Sequence, residues 1–381
     1  MKKIKVLMVA GSMHVGGIEN QLMHLLRNAD KDKFQIDFTS DKPDAFYREE
    51  IEQLGGKFIL IEKMSWKKPW KYCRAMHKIM KDGGYNVVHS HELFHSGITL
   101  AIAAKAGIPC RIAHAHNWSD SDGDDSKRGF VRTVYNKVMQ LLINKYSTLQ
   151  IACSTLAGKF LYGEKVLEGS TYHLMYNSVD TTNFLDLYNQ VESGELCDDG
   201  WVNVVNVARI NAVKNQEFLV RIAEELKKRD SKIRILCAGN GEEEYLGKIE
   251  KEIQEKQLEQ YIKLLGVRKD IDVLMRKSSA FVLPSKYEGM PLVLIEAQAS
   301  GLPCVVADTF SHEVDFGIDC VKWMQLEDGE IVWANAIEKA VATQRAQKKS
   351  VQAAIDKYGF DSKIFSEKLC DLYVKSLKSR R

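Results

Sequence analysis

No apolar run in this chain is long enough to cross a bilayer, so a membrane-spanning helix is not expected. There is no C-x-x-C pair either. The eight cysteines, Cys73, Cys110, Cys153, Cys197, Cys237, Cys304, Cys320 and Cys370, are scattered, and several lie in apolar runs. That pattern argues for buried thiols in a reducing compartment and against disulfides or zinc fingers. Charge of one sign is also scarce: 54 Lys and Arg stand against 51 Asp and Glu, a formal net charge of +3. Such a balance does not by itself imply nucleic-acid binding. The basic start Met1-Lys2-Lys3-Ile4 leads into a short apolar run ending at Gly11, which reads as a first buried strand rather than a secretion signal. The composition, 45% hydrophobic and 28% charged, is that of a globular protein, and 381 residues suffice for two domains. The expected setting is the cytoplasm, with any membrane contact peripheral.

What is present is a regular alternation of apolar runs and helical stretches. Ile4-Lys5-Val6-Leu7-Met8-Val9-Ala10 reads as a central strand, followed by Gly11-Ser12-Met13-His14-Val15-Gly16-Gly17 and a helix over about 18–28. A glycine-rich turn there lets the backbone approach a ligand closely. Its spacing is not G-x-G-x-x-G, so no dinucleotide fingerprint is indicated. Further strands read at 34–39, 57–61, 85–89, 110–113 and 149–152, with helices near 46–54 and 96–106. A second series places strands at 201–208, 232–238, 262–265, 280–285 and 303–307, and an amphipathic helix closes the chain over 361–378. Residues 119–132 read as a polar linker or a loop beside the cleft, and 186–200 as a surface loop. The alternation predicts an α/β protein of two doubly wound, Rossmann-like domains hinged near Asn177, with strand ends facing a cleft.

The chain is organised around Lys286-Tyr287-Glu288-Gly289-Met290-Pro291-Leu292-Val293-Leu294-Ile295-Glu296-Ala297. The apolar run 280–285 reads as a strand, Glu288 and Gly289 break it, and Pro291 suits the first turn of a helix. A tight turn between strand and helix leaves N–H groups facing outward, an arrangement that favours an anion such as phosphate. Glu288 and Glu296 flank that turn and suit a hydroxyl-rich group attached to the anion. Arg209 and Lys214 follow another strand end and are spaced to reach one anion, the planar fork and the point charge together matching a diphosphate. Gly239-Asn240-Gly241 reads equally as a phosphate cradle or a tight turn, and the backbone at Gly266-Val267-Arg268 could read a base edge. His91, His114 and His116 lie at two strand ends; His-x-His in a strand puts both rings on one face. A zinc site there lacks an evident third ligand pattern, so orienting or acid/base roles are expected instead.

With these residues in view, the whole chain resembles the retaining, family-4 glycosyltransferases of the GT-B fold, in particular bacterial enzymes of exopolysaccharide and capsule synthesis. Glu288 and Glu296 match that family's E-x7-E pair in a Glu-Gly-x-Pro-Leu setting. Gly16-Gly17-Ile18-Glu19 is similar to its amino-terminal glycine loop, and Arg209 with Lys214 to its donor-phosphate pair. Gly239-Asn240-Gly241 and Gly266-Val267 are similar to the strand ends of its nucleotide pocket. Asn177-Ser178-Val179-Asp180 resembles an interdomain Asn-Gly-Val-Asp segment with serine in place of glycine. The resemblance implies a nucleotide-diphosphate donor, most simply a UDP-sugar. It implies Glu296 on the ribose hydroxyls, and Glu288 with Gly289, Met290, Pro291 and Leu292 facing the sugar and phosphates. Arg209 and Lys214 would hold the leaving diphosphate, and His116, with His114 as the competing choice, would touch the sugar near its anomeric carbon. The family's reaction retains anomeric configuration and usually needs neither metal nor cofactor. The resemblance also implies domains at 1–177 and 178–359, with a return helix over 360–381 packing on the first.

Lys63-Met64-Ser65-Trp66-Lys67-Lys68-Pro69-Trp70-Lys71-Tyr72-Cys73-Arg74 interleaves basic and aromatic residues, which suits an anionic lipid interface, a lipid-diphosphate acceptor or simply an exposed helix start. The expected activity is transfer of a hexose to a glycan or lipid-linked glycan of the cell surface. The rival readings are an epimerase or hydrolase of nucleotide sugars, and a non-catalytic nucleotide-sugar binding protein.

Overall fold

The computed structural model describes residues 3–14, 16–65, 67–117, 129–186 and 200–379. Val15 of the glycine loop, Trp66, Cys197 and most of the polar stretches 119–132 and 186–200 lie outside the described residues. The chain divides into two compact units, Met1–Val179 with Gly359–Arg381, and Asp180–Tyr358.

The first unit carries seven strands: β1 (Ile4–Val9), β2 (Phe34–Ser40), β3 (Phe58–Leu60), β4 (Val87–Ser90), β5 (Cys110–Ala115), β6 (Leu149–Ala152) and β7 (Tyr172–Leu174). They lie in the order β3-β2-β1-β4-β5-β6-β7, and every recorded pair is parallel. The second unit carries β8 (Val202–Val207), β9 (Ile233–Ala238), β10 (Ile262–Leu264), β11 (Ala280–Leu283), β12 (Cys304–Ala307) and β13 (Val321–Met324), in the order β10-β9-β8-β11-β12-β13. These pairs are parallel too. Parallel sheets are covered by crossover helices on their faces, which is why their central strands read as unbroken apolar runs. β4, β9, β11 and β12 are buried along their whole length.

In both sheets the chain runs outward from the centre, then returns to the centre and runs the other way. The order therefore reverses between β1 and β4 in the first unit and between β8 and β11 in the second. Such switch points open a crevice at the carboxyl ends of the two strands, the usual place for a ligand in this architecture.

The last helix, Ser362–Lys378, belongs to the first unit and is capped by Asp361, whose side chain accepts from the N–H groups of Lys363 and Ile364. Phe365, Leu369 and Tyr373 join the core formed by β1, β2 and the helix Gly17–Asn28. Just before the boundary, Ser178 donates its N–H to Gln21 Oε1 at 2.8 Å and its hydroxyl accepts from Gln21 Nε2 at 2.9 Å. Val179 donates its N–H to Phe360 O and its carbonyl accepts from Ser362 N–H, both at 2.9 Å, so both ends of the unit close on one another. Ser178 is not among the positive-φ residues, so a serine fits where the resembled segment has glycine.

β7, β13 and the helix Phe130–Tyr146 were not expected from sequence. β7 and β13 are edge strands of three and four residues with little unbroken apolar character. The helix begins inside the polar stretch 119–132, whose sequence reads as a linker or a loop.

Candidate active site

At the second unit's switch point the loops after β8 and β11 are fastened together. Asn215, in the left-handed region at φ 62°, donates its side-chain amide to Pro284 O at 3.1 Å, while Lys286 N–H donates to Val213 O at 2.8 Å. Asparagine is among the few residues that accept that backbone conformation at low cost. The fastening sets Lys214 against Glu288, with Nζ 2.6 Å from Oε2. Glu288 is only 8% exposed. An ammonium so held keeps two further N–H donors for an anion. Arg209 is exposed on the same β8 loop, its carbonyl accepting from Gln216 Nε2 at 3.0 Å.

The β9 loop packs directly on that segment. Gly239 has φ +149°, and a Cβ there would lie 1.9 Å from Ala208 O; at Gly241 a Cβ would lie 2.3 Å from Ile210 O. Gly239 N–H donates to Gly266 O at 2.8 Å, and Ile210 N–H donates to Asn240 O at 2.8 Å. Both glycines are thus required by close backbone contact with 208–210, and the Gly239 N–H is already engaged. Gly266 stands at φ +65°, presenting Val267 outward at 70% exposure, and Arg268 turns away to pair with Asp270 at 2.6 Å.

Met290 is buried, and Pro291 is the cap of the helix Leu292–Ala299, extended at φ −72°, ψ 105°, one position ahead of the first turn. Gly289 and Leu292 are partly exposed on either side of it. Glu296 lies one turn into the helix on a partly exposed face. Burial, and secondarily the Asp272 carboxylate, push its pKa up to about 7.

The first unit's switch point holds histidines. His89 and His91 come from β4 and its end, His114 and His116 from β5 and its end, all four nearly or fully buried. β4 and β5 run parallel with His89 opposite Ile112, so the two i, i+2 pairs share one face of the sheet. Ring centroids are 4.2 Å apart for His89 and His91, and 4.1 Å for His114 and His116. His91 Nδ1 lies 2.8 Å from His116 Nε2, and His89 Nδ1 2.7 Å from the Tyr373 hydroxyl. Burial lowers all four pKa values, His89 to about 3 and His116 to about 4, where the Asn177 amide works in the opposite direction. Four neutral imidazoles result. His89 was not singled out in the sequence, although His89-Ser90-His91 repeats the spacing of His114-Ala115-His116 on the neighbouring strand. At the turn after β1, Glu19 folds back so that its Oε2 would lie 2.4 Å from a Cβ at Gly16, and Ser12 Oγ donates to Glu19 Oε1 at 3.3 Å. A carboxylate beside the start of the helix at Gly17 suits hydroxyl donors better than phosphate.

Residues 15–183 match the family model described as Glycosyltransferase Family 4, and residues 198–355 the one described as Glycosyl transferases group 1. The putative glycosyltransferase EpsF of Bacillus subtilis is 34% identical over 94% of this chain and 93% of its own length. This chain belongs to the family 4 glycosyltransferases. The capsular polysaccharide biosynthesis glycosyltransferase CapH of Staphylococcus aureus is 27% identical over 97% of this chain and 99% of its own. Among solved structures, Anabaena HepE in complex with UDP matches with a TM-score of 0.77 and 17% identity, over 98% of this chain and 100% of that one. The two parallel sheets are therefore the two domains of the GT-B fold, and the protein is a glycosyltransferase of polysaccharide biosynthesis.

In this glycosyltransferase the second unit brings Lys214, Glu288 and the Arg209 loop to one switch point. Glu296 stands one turn into the helix that follows Glu288 along the same β11 connection. No helix among the described residues is long and apolar enough to cross a membrane.

Proposed function

We propose that this glycosyltransferase moves a hexose with retention of anomeric configuration from a UDP-sugar to a lipid-linked glycan. The observation that carries the reading is the Lys214–Glu288 pair, which sets a cation and a carboxylate side by side where β8 and β11 part. A diphosphate bearing a sugar presents anion and hydroxyls in just that juxtaposition. The UDP bound to HepE supports the choice of nucleotide. In this reading Glu296 accepts from the ribose hydroxyls and Glu288 from the sugar. Arg209 and Lys214 neutralise the diphosphate, and the N–H groups of 289–292 face the phosphates. His116 is assigned to the sugar near its anomeric carbon, and Gly16-Gly17 to a hydroxyl group.

The chemistry is a front-face displacement. The acceptor oxygen bonds to the anomeric carbon as the carbon–oxygen bond to the diphosphate breaks on the same face, and the acceptor proton passes to the departing phosphate oxygen. No enzyme nucleophile, metal or cofactor is required by that scheme. What the protein supplies is placement and positive charge against the leaving group.

Lipid linkage of the acceptor is supported by the helix Phe130–Tyr146. Its exposed Phe130, Val131, Val134, Val138 and Leu141 share one stripe, with Lys137 and Lys145 beside it, while Asn136, Met139 and Ile143 face inward. A helix apolar on both faces with lysines at the rim suits an anionic bilayer surface.

A thermal-shift panel of UDP, GDP and ADP sugars tests the donor. A ligand at one hundred times its dissociation constant stabilises by about 2.7 kcal/mol, a readily measured rise in Tm. UDP-sugars should produce it, and Lys214→Ala should lose it. Stabilisation by none of the three nucleotides would overturn the donor assignment. Product analysis of a UDP-sugar incubated without acceptor excludes the epimerase and hydrolase readings if the sugar returns unchanged. Turnover with acceptor separates an enzyme from a binding protein.

A further inference from the structure

The histidine cluster of the first unit has more capacity than the transfer reaction uses. One ring nitrogen from each of His89, His91 and His114 lies within 4.8 Å of the other two, and the three residues are at most 7% exposed. Their hydrogen bonds are divided in a particular way. His89 spends Nδ1 on the Tyr373 hydroxyl, and His91 spends Nδ1 on His116. His89 Nε2, His91 Nε2 and both nitrogens of His114 are buried without a hydrogen-bond partner. A buried imidazole nitrogen with nothing to bond is costly. Three such rings converging on one place call for a common partner.

We propose that His89, His91 and His114 form a binding site for a divalent transition metal ion, zinc first, through His89 Nε2, His91 Nε2 and one nitrogen of His114. Three imidazoles select zinc and its neighbours over magnesium and calcium, which prefer oxygen. Tetrahedral zinc bound at about 2.0–2.1 Å would draw the nitrogens to roughly 3.3 Å from one another. The remaining nitrogens already have the partners that metal-bound histidines use, a hydroxyl on His89 and a second ring on His91, which fix ring orientation and tautomer.

The site is separate from the donor chemistry, and no step of the transfer runs through it. Its consequences are local. Metal at Nε2 leaves the His91 proton on Nδ1, so His91 donates to His116 Nε2 and sets the tautomer of that ring. Through His89 and Tyr373 the metal also ties the β4 end to the helix Ser362–Lys378.

The test uses the full chain without an affinity tag, stripped with chelator and equilibrated overnight with Zn2+ against a chromophoric chelator at neutral pH. One equivalent per chain is expected, with a rise in Tm that chelator reverses. Co2+ in its place should give the intense visible bands of a four-coordinate site. His91→Ala and His114→Ala should abolish the stoichiometric binding, whereas His312→Ala, at an exposed histidine paired with Asp308, should leave it intact. Tyr373→Phe keeps the buried ring and removes the partner of His89, so it decides the matter if the histidine variants do not fold. It should weaken Zn2+ about tenfold. No stoichiometric binding by the wild-type chain, binding that survives His114→Ala, or unchanged affinity in Tyr373→Phe overturns the proposal.

Discussion

Lys214 Nζ and Glu288 Oε2 stand 2.6 Å apart although 74 residues separate them, each delivered by the loop that follows one of two adjacent parallel strands. Removing either partner has distinguishable effects. Lys214→Ala leaves a nearly buried carboxylate without its cation and should lower unfolding free energy by about 1–3 kcal/mol. It should also remove much of the charge that stabilises the departing diphosphate, for a loss of about a hundredfold or more in kcat. Glu288→Gln keeps a hydrogen-bond acceptor for the ammonium, so stability should change by less than about 1 kcal/mol while turnover still falls. Urea denaturation and initial rates on the same preparations separate the two. Equal stability loss in both variants with unchanged turnover would reduce the pair to a structural contact.

If Glu296 binds the ribose as proposed, pH becomes a probe of nucleotide binding. Its pKa is raised to about 7, chiefly by burial, so the folded chain favours the neutral carboxyl. The sign follows directly. Between the ordinary value of 4.5 and about 7 the folded state holds a proton that the unfolded state has released, so this group's contribution to stability falls as pH rises through that window. Glu296→Gln should remove the slope, gaining on the wild type toward higher pH. Ribose hydroxyls donating to the carboxylate favour its charged form, so UDP should bind more tightly as pH rises through about 7 and should release a proton on binding. Calorimetry in two buffers of different ionisation enthalpy measures that proton. Equal proton release by wild type and Glu296→Gln would place the titrating group elsewhere.

Gly239→Ala should damage donor use without touching a charged group. The new methyl would meet the Ala208 carbonyl at 1.9 Å, and φ of +149° is strained for any L side chain. The expected cost is about 1–3 kcal/mol from the backbone conformation alone, more if the loop cannot move. Because 208–210 carries Arg209, displacement of that segment should raise the KM for the donor. Gly266→Ala provides the comparison, since it has positive φ but open space around it. It should cost stability with a smaller effect on KM. Identical KM changes would mean that backbone strain, not the contact with Ala208, is responsible.

Much of this arrangement was legible in the sequence because the signals are local. Apolar runs placed the buried strands, and the break at Glu288-Gly289 before Pro291 located the turn and helix at β11. What could not be read was pairing across long intervals. Nothing in the sequence couples Lys214 to Glu288, or shows that Gly239 is glycine because the Ala208 carbonyl lies against it. His89 is inconspicuous in the sequence for the same reason. It sits inside an apolar strand, and its relation to His114 depends on β4 and β5 being neighbours in register. Short edge strands such as Tyr172–Leu174 have too few residues to establish a period at all.

The exposed stripe on the helix Phe130–Tyr146 is the most specific guide to where a membrane would be met. The sequence pointed to residues 63–74, where Lys67, Lys68, Trp70 and Lys71 are indeed exposed. Lysines near an anionic surface contribute about 1 kcal/mol each and are screened by salt. The stripe adds insertion of apolar side chains, led by Phe130 at 84% and Val131 at 81% exposure. The helix Pro69–Gly83, which carries Trp70 and Lys71, and the helix Phe130–Tyr146 both lie in the first unit, and each packs against Ser96–Lys105. The protein should therefore sediment with anionic vesicles at low salt. Replacing Lys67, Lys68 and Lys71 together by Gln should weaken the binding and flatten its salt dependence. Val131→Glu with Val138→Glu should abolish the part that persists at high salt. These valines are exposed, so each change should shift stability by no more than about 0.5 kcal/mol. Vesicle binding indifferent to the valine pair would leave a purely electrostatic contact, and the stripe would then be a surface for another protein chain.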